Sequence, residues 1–508
     1  MAEKELKVEF ISNLSGTTLA ENLLGLILSA LCITYRGLIL MYFVGESVTS
    51  SWKRLLLIDF FVLVAFLILS CTVLANVLHW LVLVLAAVLA LFVFKIYSQR
   101  KQHSHQQLKE VIKSFLETNL DVNYIPFVTL FRVFINIKTG ISILAVDFPI
   151  FPRRYAKAET YGTGIMDFGV AAFVFANAVV SPEARQKNKT ISYSKFSFVI
   201  KQIIAVWPLV FLGLARLISV KTVDYHEHVT EYGLHWNFFF TLAIVRVLSS
   251  FLLILCPVRS SWILSASIAI CYQLLLETTN LKQFILHGSD GKGTRFGFIN
   301  ANREGLFSLF GYIAIYMAGV QVGVYIMKTR TSVKDWIKVQ GFLLMSFLIL
   351  WLLLHVSEAL TDPVSRRMAN LSFVLWTVGQ SLFFLMIYLL ADLVLVFVKV
   401  ISGMVNVPSS WNILPDSSEK TKDRKLFKSH SFGKLDKTTV HFCLIEAVSR
   451  NQLLFFLQSN ILTGLVNLTI DTIHSSTFIS LFVLLVYMFC NCIIVYILHI
   501  NDITLKFW

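Results

Sequence analysis

Long apolar runs alternate with shorter polar stretches along nearly the whole chain. They fall near 20–43, 55–76, 78–97, 123–146, 162–183, 197–218, 232–254, 262–277, 305–327, 336–356, 371–398, 451–470 and 478–501. Each approaches the ~20 apolar residues that a helix needs to cross a hydrocarbon core of ~30 Å, where a single chain segment can satisfy its backbone only as a helix. The pattern therefore predicts an all-α, polytopic membrane protein with about 13 transmembrane helices. Polar breaks divide the chain into residues 1–398 with helices one to eleven, a Ser- and Lys-rich stretch over 399–450, and residues 451–508 with the last two helices. The middle stretch has no sustained periodicity and reads as a disordered cytosolic linker.

Composition supports this reading. Of 508 residues, 56% are hydrophobic and only 15% charged, more apolar side chain than a soluble core could bury. The formal net charge of +14 does not imply nucleic acid, because the basic residues lie mainly in short loops between apolar runs. A positive-inside bias accounts for them. Loops after odd-numbered runs, with the C-terminus, hold about 24 Lys and Arg, against about 12 for the N-terminus and the other loops. The basic side is expected to be cytosolic and to include the C-terminus, with the N-terminus in the opposite compartment. Six of the seven cysteines lie in or beside apolar runs, a pattern that makes neither a disulfide framework nor a zinc site. No metal and no resident cofactor are expected.

The densest polar interruption is AVDFPIFPRRYAKAETYGTGIMDFG, from Ala145 to Gly169. Pro149 and Pro152 cannot continue a helix, so the helix ending near Val146 leaves Asp147 at its membrane edge, with Arg153, Arg154 and Lys157 in the same loop. A carboxylate half out of water holds its proton more tightly, and a neighbouring cation loosens it again. An Asp balanced in that way can act as a general base. The basic residues suit phosphate, while Tyr161, Gly162, Gly164 and Asp167 open the next helix, where free backbone N–H groups favour an anion. An interfacial salt bridge that pins the loop is the plainer reading of the same spacing, and the spacing leaves both open.

Loop parity brings three more segments to that face, one of them SRRMANLS, from Ser365 to Ser372. HGSDGKGTRFGFINANREG, from His287 to Gly305, contributes Arg295, Asn300, Asn302 and Arg303; it fits neither phosphate-loop pattern, so nucleotide is not expected. EYGLHWNFFFT sets His235 and Asn237 at a helix entrance, where the His could serve as a base or sit hydrogen-bonded among interfacial aromatics. Arg36 and Arg132 lie deep enough in their runs to line an internal polar cavity. A secondary transporter or lipid flippase is the rival class, but it calls for broken helices at mid-membrane rather than a charge cluster at one edge. A non-catalytic scaffold is the third.

AVDFPIFPRRYAKAETYGTGIMDFG, EYGLHWNFFFT, GTRFGFINANREG, SRRMANLSFVLW and SNILTGLVNLTIDT, in that order, resemble the signature segments of the PIG-W family of glucosaminyl-phosphatidylinositol acyltransferases. The resemblance implies transfer of a fatty acyl group, typically palmitoyl, from acyl-CoA as co-substrate to the inositol of glucosaminyl-phosphatidylinositol. It further implies an endoplasmic reticulum membrane, with acylation and the N-terminus lumenal. The family's catalytic Asp and Lys match Asp147 and Lys157. On that footing Arg153 and Arg154 are candidates for the glycolipid phosphodiester or the CoA phosphates, and Arg36 or Arg132 for a path that brings CoA to the site.

Overall fold

In the computed structural model every one of the thirteen apolar runs is helical. The structure describes residues 10, 12, 14–44, 51–104, 107–122, 124–185, 195–222, 229–402, 407–414 and 442–505. The long helices are α1 (Leu19–Ile39), α2 (Trp52–Cys71), α3 (Leu78–Ser104), α4 (Pro126–Ala145), α5 (Phe168–Val179), α6 (Trp207–Thr222), α7 (Phe238–Leu255), α8 (Ser261–Thr278), α9 (Leu309–Ile326), α10 (Val333–Leu360), α11 (Leu371–Ser402), α12 (Gln452–Thr469) and α13 (Thr477–Ile500). Eleven helices among the described residues are long and apolar enough to cross a membrane. The two predicted spans outside that set are α5 and α12. α5 has twelve residues, about 18 Å of helix, and α12 breaks its apolar pattern with Gln458, Ser459, Asn460, Thr463 and Asn467.

α11 is the central column. Its side chains are buried almost all round, whereas α3 exposes Leu83, Leu91 and Phe94, the pattern of a lipid-facing helix. Small residues allow the closest crossings. A Cβ on Gly319 or Gly323 of α9 would fall within 3 Å of α5 atoms, and one on Gly37 of α1 within 3 Å of Leu395 on α11. In lipid, where apolar contact brings no gain over the solvent, such close approach is the main source of helix association.

The loops gather at two ends, as alternate crossing requires. At one end the 118–121 turn pairs with 331–333 and 412–414: Leu120 donates to Thr331 O at 2.8 Å and Asp121 to Asn412 O at 3.0 Å. At the other, Gly162 donates to Val364 O at 2.8 Å, and Leu234 to Ala301 O at 3.0 Å. The segment over 399–450 is narrower as a loop than its composition suggests. α11 runs on to Ser402, a short helix spans Leu444–Arg450, and Trp411 and Cys443 are buried; 403–406 and 415–441 lie outside the described residues.

Arg36 and Asp59 tie α1 to α2 by a buried ion pair at 2.7 Å. The guanidinium also donates to Pro408 O at 3.0 Å, and Asp59 accepts the Leu444 N–H at 2.9 Å. Arg36 thus fastens both flanks of the 415–441 stretch.

Candidate active site

α4 ends where Pro149 and Pro152 forbid another turn, and Arg153 closes the end. Its guanidinium donates to Val146 O at 2.8 Å, Phe148 O at 2.9 Å and Phe151 O at 2.8 Å, carbonyls that no further helical turn can use. Burial pushes the Arg153 pKa down to about 10 against the opposing pull of nearby Asp147. Asp147 is left at the rim, and its Oδ2 accepts the Asn467 amide of α12 at 2.8 Å.

Beyond Arg153 the loop is stitched from inside by Asp167. Its Oδ2 accepts the Ala158 and Gly164 N–H groups, each at 2.9 Å, and its Oδ1 accepts Arg366 Nε at 2.8 Å. Of the N–H groups expected to meet an external anion, that of Gly164 goes to the protein's own carboxylate, and those of Gly162 and Asp167 go to Val364 O and Gly164 O. The N-terminal stretch seals the outside of the loop: Glu159 N–H donates to Leu14 O at 2.9 Å and Thr163 Oγ1 to Thr17 O at 2.7 Å.

This bracing directs Lys157 inward. Its ammonium meets Glu231 Oε2 at 2.6 Å, and Arg366 stands 3.7 Å from the other Glu231 oxygen. Burial would raise the Glu231 pKa, yet the Lys157 and Arg366 charges bring it down to about 2. Arg366, which burial would weaken as a cation, is instead held above its ordinary range by Glu231 and Asp167. Lys157, Glu231, Arg366 and Asp167 form one alternating chain of charge, with Lys157 at its half-exposed end. Gly233, at φ +109°, lets the 229–233 turn lie against Ala301 O, where a Cβ would stand 2.5 Å away.

Asp147, Lys157, Glu159, Glu231 and Arg366 line one cavity of about 830 Å³. Below this polar mouth the walls are apolar, with Ile143, Phe173, Phe238 and Phe456 among them. Along α4 the lining runs from Val146 to Ile135, about 16 Å at 1.5 Å per residue and so roughly half of a ~30 Å hydrocarbon core. Lys138 lies on this wall and donates to Gly25 O at 2.8 Å. The two helices that fall short of an ordinary span, α5 and α12, both line the cavity. On α12 the lining residues Ile461, Leu465 and Leu468 are also 65%, 52% and 68% exposed, and on α6 so are Arg216 and Ser219. The cavity thus opens sideways, toward lipid, between α6 and α12.

Of the residues predicted from sequence, the cavity holds Asp147, Lys157 and Asn237. Asn237 is the N-cap of α7, its Oδ1 accepting from Phe239 N–H at 3.0 Å. Arg154 faces away, paired with Glu21 at 3.0 Å and donating to Asn76 at 2.9 Å, beside a separate polar pocket of about 490 Å³. Tyr161 donates to Asp362 at 3.4 Å, and His235 stands 3.0 Å from Lys221. Arg295, Asn300 and Arg303 build the neighbouring loop around buried Glu304: Arg295 pairs with it at 2.7 Å, and Arg303 donates to Asn300 Oδ1 at 2.9 Å. Asn302 joins that loop to His235, accepting its N–H at 2.8 Å. Arg132 does not line the cavity.

Glu231, Arg366 and Asn467 escaped the sequence reading of single residues. Their signal was present, since each lies inside one of the polar-rich segments EYGLHWNFFFT, SRRMANLSFVLW and SNILTGLVNLTIDT. Nothing in those segments taken singly says that they converge.

Comparison with known proteins places the chain among relatives of the same length. The GWT1 family model matches residues 3–498. The chain is 45% identical over its whole length to glucosaminyl-phosphatidylinositol-acyltransferase PIGW of Bos taurus, covering 100% of both. It is 44% identical, with the same full coverage, to the proteins of that name from Mus musculus and Homo sapiens.

Proposed function

The chain belongs to the GWT1 family, and from that premise we propose that it is a glucosaminyl-phosphatidylinositol acyltransferase that takes its acyl group from acyl-CoA. One observation carries the reading: Asp147 and Lys157 share the rim of a cavity that turns apolar below them and opens to lipid. That is the geometry required by a reaction whose two substrates each combine a polar reacting end with long acyl chains. We place the Asp147 end of the bundle in the lumen of the endoplasmic reticulum and the 415–441 stretch in the cytosol, following the excess of basic residues on the 415–441 side.

An inositol hydroxyl is a weak nucleophile at neutral pH. Asp147 takes its proton as the oxygen attacks the thioester carbonyl, and the Asn467 amide holds the carboxylate toward the cavity. Lys157 donates to the oxyanion of the tetrahedral intermediate. When the intermediate collapses, the C–S bond breaks and the proton on Asp147 passes to the departing thiolate, leaving an inositol ester, free CoA thiol and the starting carboxylate. Glu231 fixes the Lys157 ammonium, and Arg366 fixes Glu231. Arg216, on the cavity wall at the lateral mouth, is placed for a phosphodiester. The apolar walls align both lipids, so positioning supplies much of the rate.

The test is transfer from labelled palmitoyl-CoA to a soluble glucosaminyl-phosphatidylinositol analogue by purified wild type and Asp147→Asn at equal folded amounts. Wild type transfers, and Asp147→Asn keeps binding while kcat falls about 10³-fold. Transfer by complemented membranes but not by the pure protein would make it a scaffold or transporter instead.

A further inference from the structure

Three carboxylates line the cavity: Asp147, Glu159 and Glu231. Two have partners within the protein. Asp147 accepts the Asn467 amide, and Glu231 is held between Lys157 and Arg366. Glu159 differs. Its backbone is pinned to Leu14 and its side chain is partly buried on the cavity wall, yet among the described residues no cation lies within ion-pair distance of its carboxylate.

A carboxylate held at the mouth of a cavity, two residues from a lysine that is already paired, leaves one negative group for a ligand to neutralise. The relatives' names specify an acceptor built on glucosamine, whose free amine is an ammonium at neutral pH. The remainder of that acceptor is a phosphodiester and a diacyl lipid, for which Arg216 and the apolar walls stand on the same cavity. We infer that Glu159 is the amino-sugar subsite: its carboxylate receives the glucosamine ammonium and sets the preference for the free amine over its N-acetyl form. This rests on the acyltransferase reading above. An acetamide at the same place brings no charge and leaves the Glu159 carboxylate unpaired on a partly desolvated wall, so discrimination comes from both the bond gained and the group left unsatisfied.

The experiment compares the full-length wild type, Glu159→Gln and Glu159→Asp, matched by thermal melting, in transfer from palmitoyl-CoA to a soluble glucosaminyl-phosphatidylinositol analogue and to its N-acetylated twin. Wild type strongly prefers the free amine. Glu159→Gln raises KM for the amine substrate by about 10- to 100-fold with kcat nearly unchanged, and lowers KM for the N-acetyl substrate by relieving the unpaired carboxylate, so the preference collapses. Glu159→Asp, which keeps the charge, restores part of it. An unchanged preference in Glu159→Gln, with wild type active, overturns this assignment alone. A fall in kcat at constant KM also overturns it, because Glu159 would then belong to the chemistry rather than to recognition. Absence of transfer by wild type overturns the acyltransferase reading and the subsite with it.

Discussion

The charge cluster around Arg36 and the one around Lys157 differ in how far they are closed. Around Arg36 the charges are fully enclosed: the Asp59 pair is almost wholly buried, and Pro408 and Leu444 fill further positions. Around Lys157 the chain of charge runs from buried Asp167 and Arg366 outward to a lysine that is 37% exposed on a cavity wall. A closed pair costs desolvation and returns the correct joining of segments. An open chain keeps its last charge available to a ligand while the enclosed members fix its place. Depth in the membrane alone does not distinguish them, since both contain buried arginines. What distinguishes them is whether the outermost charge faces protein or a cavity.

The comparison can be broken by exchanging the expected consequences. Asp147→Asn is expected to lose about three orders of magnitude in kcat with its melting temperature kept, whereas Asp59→Asn, leaving Arg36 buried without its partner, should cost about 3–5 kcal/mol of stability. Thermal melts and turnover per folded molecule, measured on both, decide it. Loss of turnover in Asp59→Asn at full folded yield would mean that the closed cluster also serves the reaction.

Smaller effects test the open cluster. Glu231→Gln removes the negative partner of Lys157 and should lower kcat about 10-fold, with little change in KM. In a Lys157→Met background the same change should add almost nothing, because the two act as one unit. Additive losses would show that Glu231 acts otherwise than through the lysine. Asn467→Ala should lower kcat by a few fold, as expected for loss of one hydrogen bond to Asp147.

The least effect is that of mild acid. The Glu231 pKa is depressed to about 2 when folded, so its stabilising contribution is fully present above its unfolded value and is lost only as pH falls toward about 2. The difference in melting temperature between wild type and Glu231→Gln should therefore be constant from about pH 7 to about pH 5 and close as the pH falls below about 4. A difference that closes already near neutrality would contradict the Lys157–Glu231–Arg366 arrangement.

The sequence by itself determined the helical class, the positions of the spans and the alternation of loops between two ends, because a bilayer translates apolar length directly into helix. It also brought Asp147 forward as a carboxylate at a helix end that Pro149 and Pro152 close, with Lys157 in the same loop, while the pairing of the two came from the family resemblance. Hydropathy is blind to which face of a helix meets a cavity, and that is where tertiary structure decided the outcome. α12 is expected to be a span from its apolar run, yet it falls outside the eleven described helices that are long and apolar enough to cross a membrane; its Asn467 reaches Asp147 across 320 residues, and Lys157 finds Glu231 across 74. The same packing turned Asp167 inward to brace the loop and drew Arg153 and Arg154 away from the cavity. No local pattern encodes such pairings, because they arise only when separate helices close around a common space.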